Sequence, residues 1–179
     1  NASANGDTVL VEPGTYMENI NFRGKRIVLT SRYYINSDPA LIVNTVINGS
    51  TPVNPDTASC VIFNTAEDST TILQGFTITG GTGTKWNDEH GPGNIYREGG
   101  GILIQYSSPI IQNNIIRNNQ AINTTGCVSA GGGGMRIGDS NPKVYNNIIM
   151  QNQGIYGPGI VLNYSGGTFK NNIVCLNSG

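Results

Sequence analysis

The chain has 179 residues, of which 12% are charged, and its formal net charge is -1. That balance argues against nucleic acid or an anionic membrane surface as partner, since each draws on a basic patch, and no apolar run approaches the ~20 residues of a membrane span. Glycine, at 25 residues, is about twice its usual share, as a chain with many tight turns requires.

In chain order, Val9-Leu10-Val11 and Ile20-Asn21-Phe22 are short apolar pieces bounded by Gly, Pro and Asn, the pattern of strands and turns. Ile27-Val28-Leu29, Leu41-Ile42-Val43 and Val46-Ile47 continue that pattern in a looser coil. Residues 60–63 open a stricter template, and Ile72-Leu73-Gln74-Gly75-Phe76-Thr77-Ile78 is its second half. The template is clearest from Gly101-Ile102-Leu103-Ile104, through Pro109-Ile110-Ile111-Gln112-Asn113-Asn114-Ile115-Ile116, to Asn119. It returns as Gly134-Met135-Arg136-Ile137, Pro142-Lys143-Val144-Tyr145-Asn146-Asn147-Ile148-Ile149 and Asn152. It returns again as Gly159-Ile160-Val161-Leu162, Phe169-Lys170-Asn171-Asn172-Ile173-Val174 and Asn177.

A recurring apolar template marks a solenoid, in which each unit buries its face only against its neighbours. No stretch has the helical period over a useful length. The sequence therefore predicts an all-β fold: a right-handed parallel β-helix of about six coils, with three short strands per coil, spanning residues 1–179 as one domain. Four inward columns follow. They are Ile102, Met135 and Ile160; Ile104, Ile137 and Leu162; Ile111, Val144 and Phe169; and Ile116, Ile149 and Val174. Stacked Asn amides are both donors and acceptors, so Asn114, Asn147 and Asn172 should form a ladder. Asn113, Asn146 and Asn171 are expected to form one beside it, and Asn119, Asn152 and Asn177 another at the next turn. The glycine runs 99–101 and 131–134 precede strands rather than a helix, and so are turns and not phosphate loops.

Three cysteines are an odd count, which leaves open one disulfide between Cys60 and Cys127 or three free thiols. The chain is expected to be a piece of a larger one. Only residues 1–5 precede Gly6-Asp7-Thr8-Val9, and the chain stops just after a full template coil. Solenoid ends need covers, here further chain or another molecule.

The segment Gly6-Asp7-Thr8-Val9-Leu10-Val11-Glu12-Pro13-Gly14-Thr15-Tyr16 resembles the opening coil of the pectin-lyase-like superfamily of right-handed β-helices, especially large secreted bacterial repeat proteins. Thr45-Val46-Ile47-Asn48-Gly49 and the Asn-Asn-x-Ile repeats fit the same group. The resemblance implies an extracellular or cell-surface setting and a choice between polysaccharide-active enzymes and adhesins. The motifs of those enzymes are missing. The esterase aspartates are not found, Arg136-Ile137-Gly138 lacks the lysine of the polygalacturonase motif, and no Asp-Asp or Asp-Pro-His-Asp occurs. Leu103, Gln105, Arg136, Gly138, Val161 and Asn163 should point outward from the first strands, giving that face one charge and no carboxylate.

Two insertions, 82–99 and 121–132, interrupt the repeat at one corner and should lie side by side as a wall. The longer holds the only Trp and the only His. Trp86 and Tyr96 are suited to stack on sugar rings, while Asp88, Glu89, Arg97 and Glu98 bond hydroxyls. His90 completes the candidate site, and a role for Glu89 or His90 in proton transfer would draw on Asp139 as a second carboxylate. Asp88, Glu89 and His90 are consecutive and cannot all converge on one cation, so neither a metal nor another cofactor is expected. The reading is a structural or carbohydrate-binding β-helix, with extracellular polysaccharide as the partner. The alternative is a polysaccharide lyase or glycoside hydrolase acting on an acidic polysaccharide beside the insertions.

Overall fold

The computed structural model describes residues 3–88 and 90–179. Short strands stack in parallel into three long sheets. The front sheet runs, in chain order, through Ile20–Asn21, Val61–Phe63, Ile102–Gln105, Met135–Gly138 and Ile160–Asn163. The second contains Thr8–Val11, Val28–Ser31, Ile72–Gln74, Ile110–Gln112, Lys143–Tyr145 and Thr168–Lys170. The third contains Gly14–Met17, Thr45–Asn48, Thr77–Thr79, Ile115–Arg117, Ile148–Met150 and Ile173–Cys175. This is a β-helix-like solenoid. Among the described residues, no helix is long and apolar enough to cross a membrane.

The register follows the template. Ile102 pairs with Met135 and Met135 with Ile160, Ile104 with Ile137 and then Leu162. Ile111, Val144 and Phe169 align in the second sheet, and Ile116, Ile149 and Val174 in the third. Because a strand's side chains alternate, a slip of one residue would have turned every column outward. Ile104, Ile137, Ile111, Val144, Ile116 and Ile149 are all fully buried. The columns open at the last stacked strands, where Leu162, Phe169 and Val174 are 46%, 38% and 51% exposed. Truncating a central member should cost most: Ile137→Ala is expected to lose about 2–5 kcal/mol in chemical denaturation, through lost transfer energy and the cavity left behind.

Two Asn ladders form. The Asn114 amide nitrogen donates to Asn147 Oδ1 (3.2 Å), and that of Asn147 to Asn172 Oδ1 (3.0 Å). Asn119, Asn152 and Asn177 repeat this at the next corner, at 3.1 and 3.0 Å. The ladder expected through Asn113, Asn146 and Asn171 does not form. These residues have φ of 54°, 54° and 55°, and among the described residues no side-chain hydrogen bond joins them. They make the left-handed step between the second and third sheets, a conformation Asn tolerates better than most side chains.

One predicted strand is a helix. Leu41-Ile42-Val43 lies within the short helix Pro39–Asn44, whose N-cap Asp38 accepts the Ala40 N–H at 2.9 Å. An Asp cap followed by Pro at the first helical position is a helix start, and it outweighs three β-compatible residues. Glu67 is a structural acid whose role the sequence conceals. It is 1% exposed, and it accepts the N–H of Gly24 (2.7 Å) and Thr65 (2.9 Å) and the Ser107 hydroxyl (2.7 Å), tying neighbouring coils together.

All three cysteines are free. Cys60 is buried, with its Sγ 3.1 Å from the Thr79 carbonyl, and burial pushes its thiol up to about 12. A thiol reagent reacts through the thiolate. At pH 8 the folded protein should therefore release the equivalent of Cys127 and Cys175, with Cys60 reacting only after denaturant is added. Prompt reaction of all three would contradict this burial.

Candidate functional site

The two insertions meet, and they are more ordered than loops. Gly83–Asn87 and Ile95–Glu98 form an antiparallel hairpin. Ile95–Glu98 then pairs in parallel with Ser129–Gly131 of the second insertion, matching Tyr96 with Ser129, Arg97 with Ala130 and Glu98 with Gly131. On its other edge the hairpin gains Thr57–Ala58, a third strand-forming contribution that no repeat pattern signals. The result is a four-stranded wall beside the front sheet.

Alternation sorts the hairpin's side chains between the wall's two faces. Trp86 is opposite Tyr96, and Thr84 opposite Glu98, so Trp86, Tyr96 and Glu98 share one face. Lys85 and Arg97, also opposite one another, occupy the other face. Like charges directly opposed are unfavourable, and Asp56 relieves them: it is 3.1 Å from Lys85 Nζ and 3.9 Å from Arg97 Nη1. Arg97 is 5% exposed, with Nε on the Thr82 carbonyl at 2.9 Å and Nη2 on the Pro55 carbonyl. Its guanidinium fastens the base of the hairpin, away from the face that carries Trp86.

That face covers the front sheet and changes its chemistry. Gln105 and Arg136 are each 0% exposed and Leu103 is 1% exposed, so the outward positions of the central strands are not a solvent surface. Nor is the face without a carboxylate. Glu98 reaches across from the wall, its Oε2 3.0 Å from Arg136 Nε, and its Oε1 accepts the Tyr156 hydroxyl at 2.7 Å. Trp86 caps the guanidinium, with its ring centroid 5.2 Å from Arg136 Cζ, a cation–π contact. Arg136 Nη1 and Nη2 are buried and have no hydrogen-bond acceptor among the described residues. Two glycines make the space. A Cβ on Gly138 would be 2.1 Å from Arg136 Nη1, and one on Gly131 would be 2.2 Å from the Tyr156 ring. Burial, and after it the Glu98 carboxylate, raises the Tyr156 phenol well above its ordinary range, so Tyr156 stays a neutral donor at any physiological pH.

Trp86, Asp88, Tyr96, Glu98, Arg136 and Tyr156, with Asn163 at its edge, line an open cavity of about 420 Å³ between the wall and the front sheet. Tyr96 and Tyr156 meet edge to face there, with centroids 6.4 Å apart. Of the residues singled out from sequence, Trp86, Asp88, Tyr96 and Glu98 thus gather at one cavity. His90 sits at the hairpin tip, 2.9 Å from Asp139 Oδ1 and stacked on Tyr164 at 3.6 Å. Glu89 lies outside the described residues. Arg136 and Tyr156 are the participants that sequence reasoning passed over as site residues. Arg136 was visible as the one charge on the outward face, whereas Tyr156 had no pattern to mark it. Asp139 also accepts Gln105 Nε2 at 3.0 Å, so Glu98 and Asp139 are each held by side-chain partners, whereas Asp88 Oδ1 accepts the backbone N–H of His90 at 3.0 Å. Among the described residues, no group of three or more His, Cys, Asp or Glu side chains is placed to hold a metal ion.

No protein-family model matches the chain, and neither a curated protein nor a solved structure is significantly similar to it.

Proposed function

We propose that this chain is part of a secreted or cell-surface, right-handed β-helix of the pectin-lyase-like type, six coils long, that binds extracellular polysaccharide in the cavity between wall and front sheet. One observation carries the reading: three aromatic rings, Trp86, Tyr96 and Tyr156, converge with Asp88, Glu98 and Asn163 on a single open cavity of about 420 Å³. Sugar rings present apolar C–H faces and polar edges. A pocket that offers flat rings together with a few placed hydrogen-bonding groups matches both.

The structural framework supports binding ahead of turnover. A lyase or hydrolase needs a group that can take up a proton and another that can give one up at the scissile bond. Glu98 is engaged by Arg136 and Tyr156, and Asp139 by His90 and Gln105. The enzymatic alternative, acting on an acidic polysaccharide, would draw on Asp88, whose Oδ1 accepts the backbone N–H of His90, or require one of these pairs to open first.

The test is calorimetric titration against a panel of neutral and acidic polysaccharides, run alongside reducing-end and unsaturated-uronate assays. Saturable binding without product is expected, weakened about tenfold in Trp86→Ala, the equivalent of ~1.4 kcal/mol. Product formation would establish the enzymatic alternative, and an absence of binding across the panel would end the carbohydrate reading.

A further inference from the structure

Resting on the polysaccharide reading above, we propose that the saccharide taken by this cavity carries a protonated amine, as a 2-amino-2-deoxy sugar of the glucosamine kind does. Asp88 is the residue that selects it.

The charges that line the cavity do not balance. Among the described residues they are the carboxylates of Asp88 and Glu98 and the guanidinium of Arg136. Arg136 and Glu98 compensate each other: Glu98 Oε2 is 3.0 Å from Arg136 Nε, and both side chains are buried. The other Glu98 oxygen is occupied as well, by the Tyr156 hydroxyl. Asp88 is left over. Alternation along the strand puts it on the same face of the wall as Trp86. Its Oδ1 accepts the backbone N–H of His90, and among the described residues no cationic side chain pairs with it. The half-buried Asp88 therefore brings to the cavity a negative charge that Arg136 does not answer.

The floor of the cavity argues against an acidic sugar. Arg136 Nη1 and Nη2 are buried without an acceptor among the described residues, and unmet donors at a binding site call for a partner. A uronate carboxylate brought to them would lie beside Glu98, which cannot leave without stranding both the guanidinium and the Tyr156 hydroxyl. Two carboxylates that share one guanidinium repel, and one of them is driven to take up a proton. An uncharged sugar hydroxyl supplies the acceptor without that penalty, directly or through one bridging water. The floor thus calls for an oxygen, and Asp88 for a positive charge.

The aromatic lining suits the same ligand. Trp86 is committed to the Arg136 guanidinium, 5.2 Å from its ring centroid. Tyr96 and Tyr156 meet edge to face, with centroids 6.4 Å apart, and both are half-buried, so each keeps ring surface open to a ligand. An ammonium within about 6 Å of a tyrosine centroid gains a cation–π attraction, and a charge-assisted hydrogen bond to Asp88 adds to it. A 2-amino sugar carries the ammonium and the hydroxyls on one ring, so a single residue of the polymer can meet both demands.

The experiment is calorimetric titration at about pH 6, between the ordinary carboxylate and amine ranges. The probes are oligosaccharides matched in length: glucosamine oligomers, their N-acetylated counterparts, cello-oligosaccharides and oligogalacturonates. The glucosamine series should bind about two- to fivefold more tightly than either neutral series, the contribution of one partly exposed ion pair, and the oligogalacturonates most weakly. That advantage should vanish in about 1 M salt, where the screening length falls to about 3 Å. It should vanish too in Asp88→Asn, which retains binding of the neutral series. Glu18→Gln removes the same charge just after the first-coil strand Gly14–Met17 and should leave the preference intact. If neutral or acidic oligomers bind as tightly as the glucosamine series, if the preference survives in Asp88→Asn, or if Glu18→Gln abolishes it equally, the amine assignment is overturned while the polysaccharide reading stands. If no oligomer binds, both fall.

Discussion

Replacing Glu98 by Ala is expected to destabilise the protein by about 3–5 kcal/mol, the usual cost of removing one partner from a buried ion pair. The cause is what remains. Arg136 is 0% exposed and has Glu98 as its counter-charge, at 3.0 Å. With Glu98 gone, a guanidinium stays buried with only the Trp86 ring and the surrounding dipoles to hold its charge, and the Tyr156 hydroxyl loses its acceptor. For a chain of this length each kcal/mol corresponds to roughly 2–4 °C in Tm, so a fall on the order of 10 °C should appear in a thermal scan. The companion is Glu98→Leu with Arg136→Met, which removes both charges and keeps an apolar filling. Such replacements are often neutral or stabilising, so the double variant should recover most of the loss. If Glu98→Ala and the double variant unfold together, the cost lies in packing and not in the uncompensated charge.

The difference between what the sequence reveals and what it hides has one physical origin. The columns through Ile104 and Ile137, and the ladder through Asn114 and Asn147, are periodic because each coil solves the same packing problem against its neighbour. Periodicity can be read. The corner at which the insertions leave is equally legible, since it is where the period breaks, and pairing of Tyr96 with Ser129 places the two side by side. What happens inside the wall is not periodic. Whether Arg97 faces the cavity or its back depends on the pairing of Gly83–Asn87 with Ile95–Glu98, and that depends on a turn with no repeat to calibrate it. The alternation within 96–98 was available, but not which side it turned to the front sheet. The burial of Arg136 is a consequence of the wall, so a strand pattern that reads it as outward-facing is right about direction and wrong about solvent. Glu67 is hidden for the same reason: its donors come from Gly24, Thr65 and Ser107, brought together only by stacking.

Adjacent asparagines in the template should behave as different residues, and the largest contrast is between 146 and 147. Asn147 Oδ1 accepts the Asn114 backbone N–H at 3.0 Å and its side-chain amide at 3.2 Å, and Asn147 Nδ2 donates to the Ile111 carbonyl at 2.9 Å and to Asn172 Oδ1 at 3.0 Å. Asn147→Ala leaves the Asn114 N–H and the Ile111 carbonyl without those partners in the interior. At about 1–3 kcal/mol for each unsatisfied buried group, the loss should be about 2–6 kcal/mol. Asn147→Asp keeps the acceptor, but it removes the donor and sets a carboxylate against Asn172 Oδ1, so it should rescue little at neutral pH. Asn146 has φ of 54° and an exposed side chain with no hydrogen bond among the described residues. Its contribution is conformational. Asn146→Gly should be close to neutral, because Gly enters the left-handed region freely, while Asn146→Ala should cost about 1 kcal/mol. Urea denaturation of the four variants separates the roles. If Asn146→Gly proves as damaging as Asn147→Ala, residue 146 must act through its amide after all, and the two-role account of the Asn pair fails.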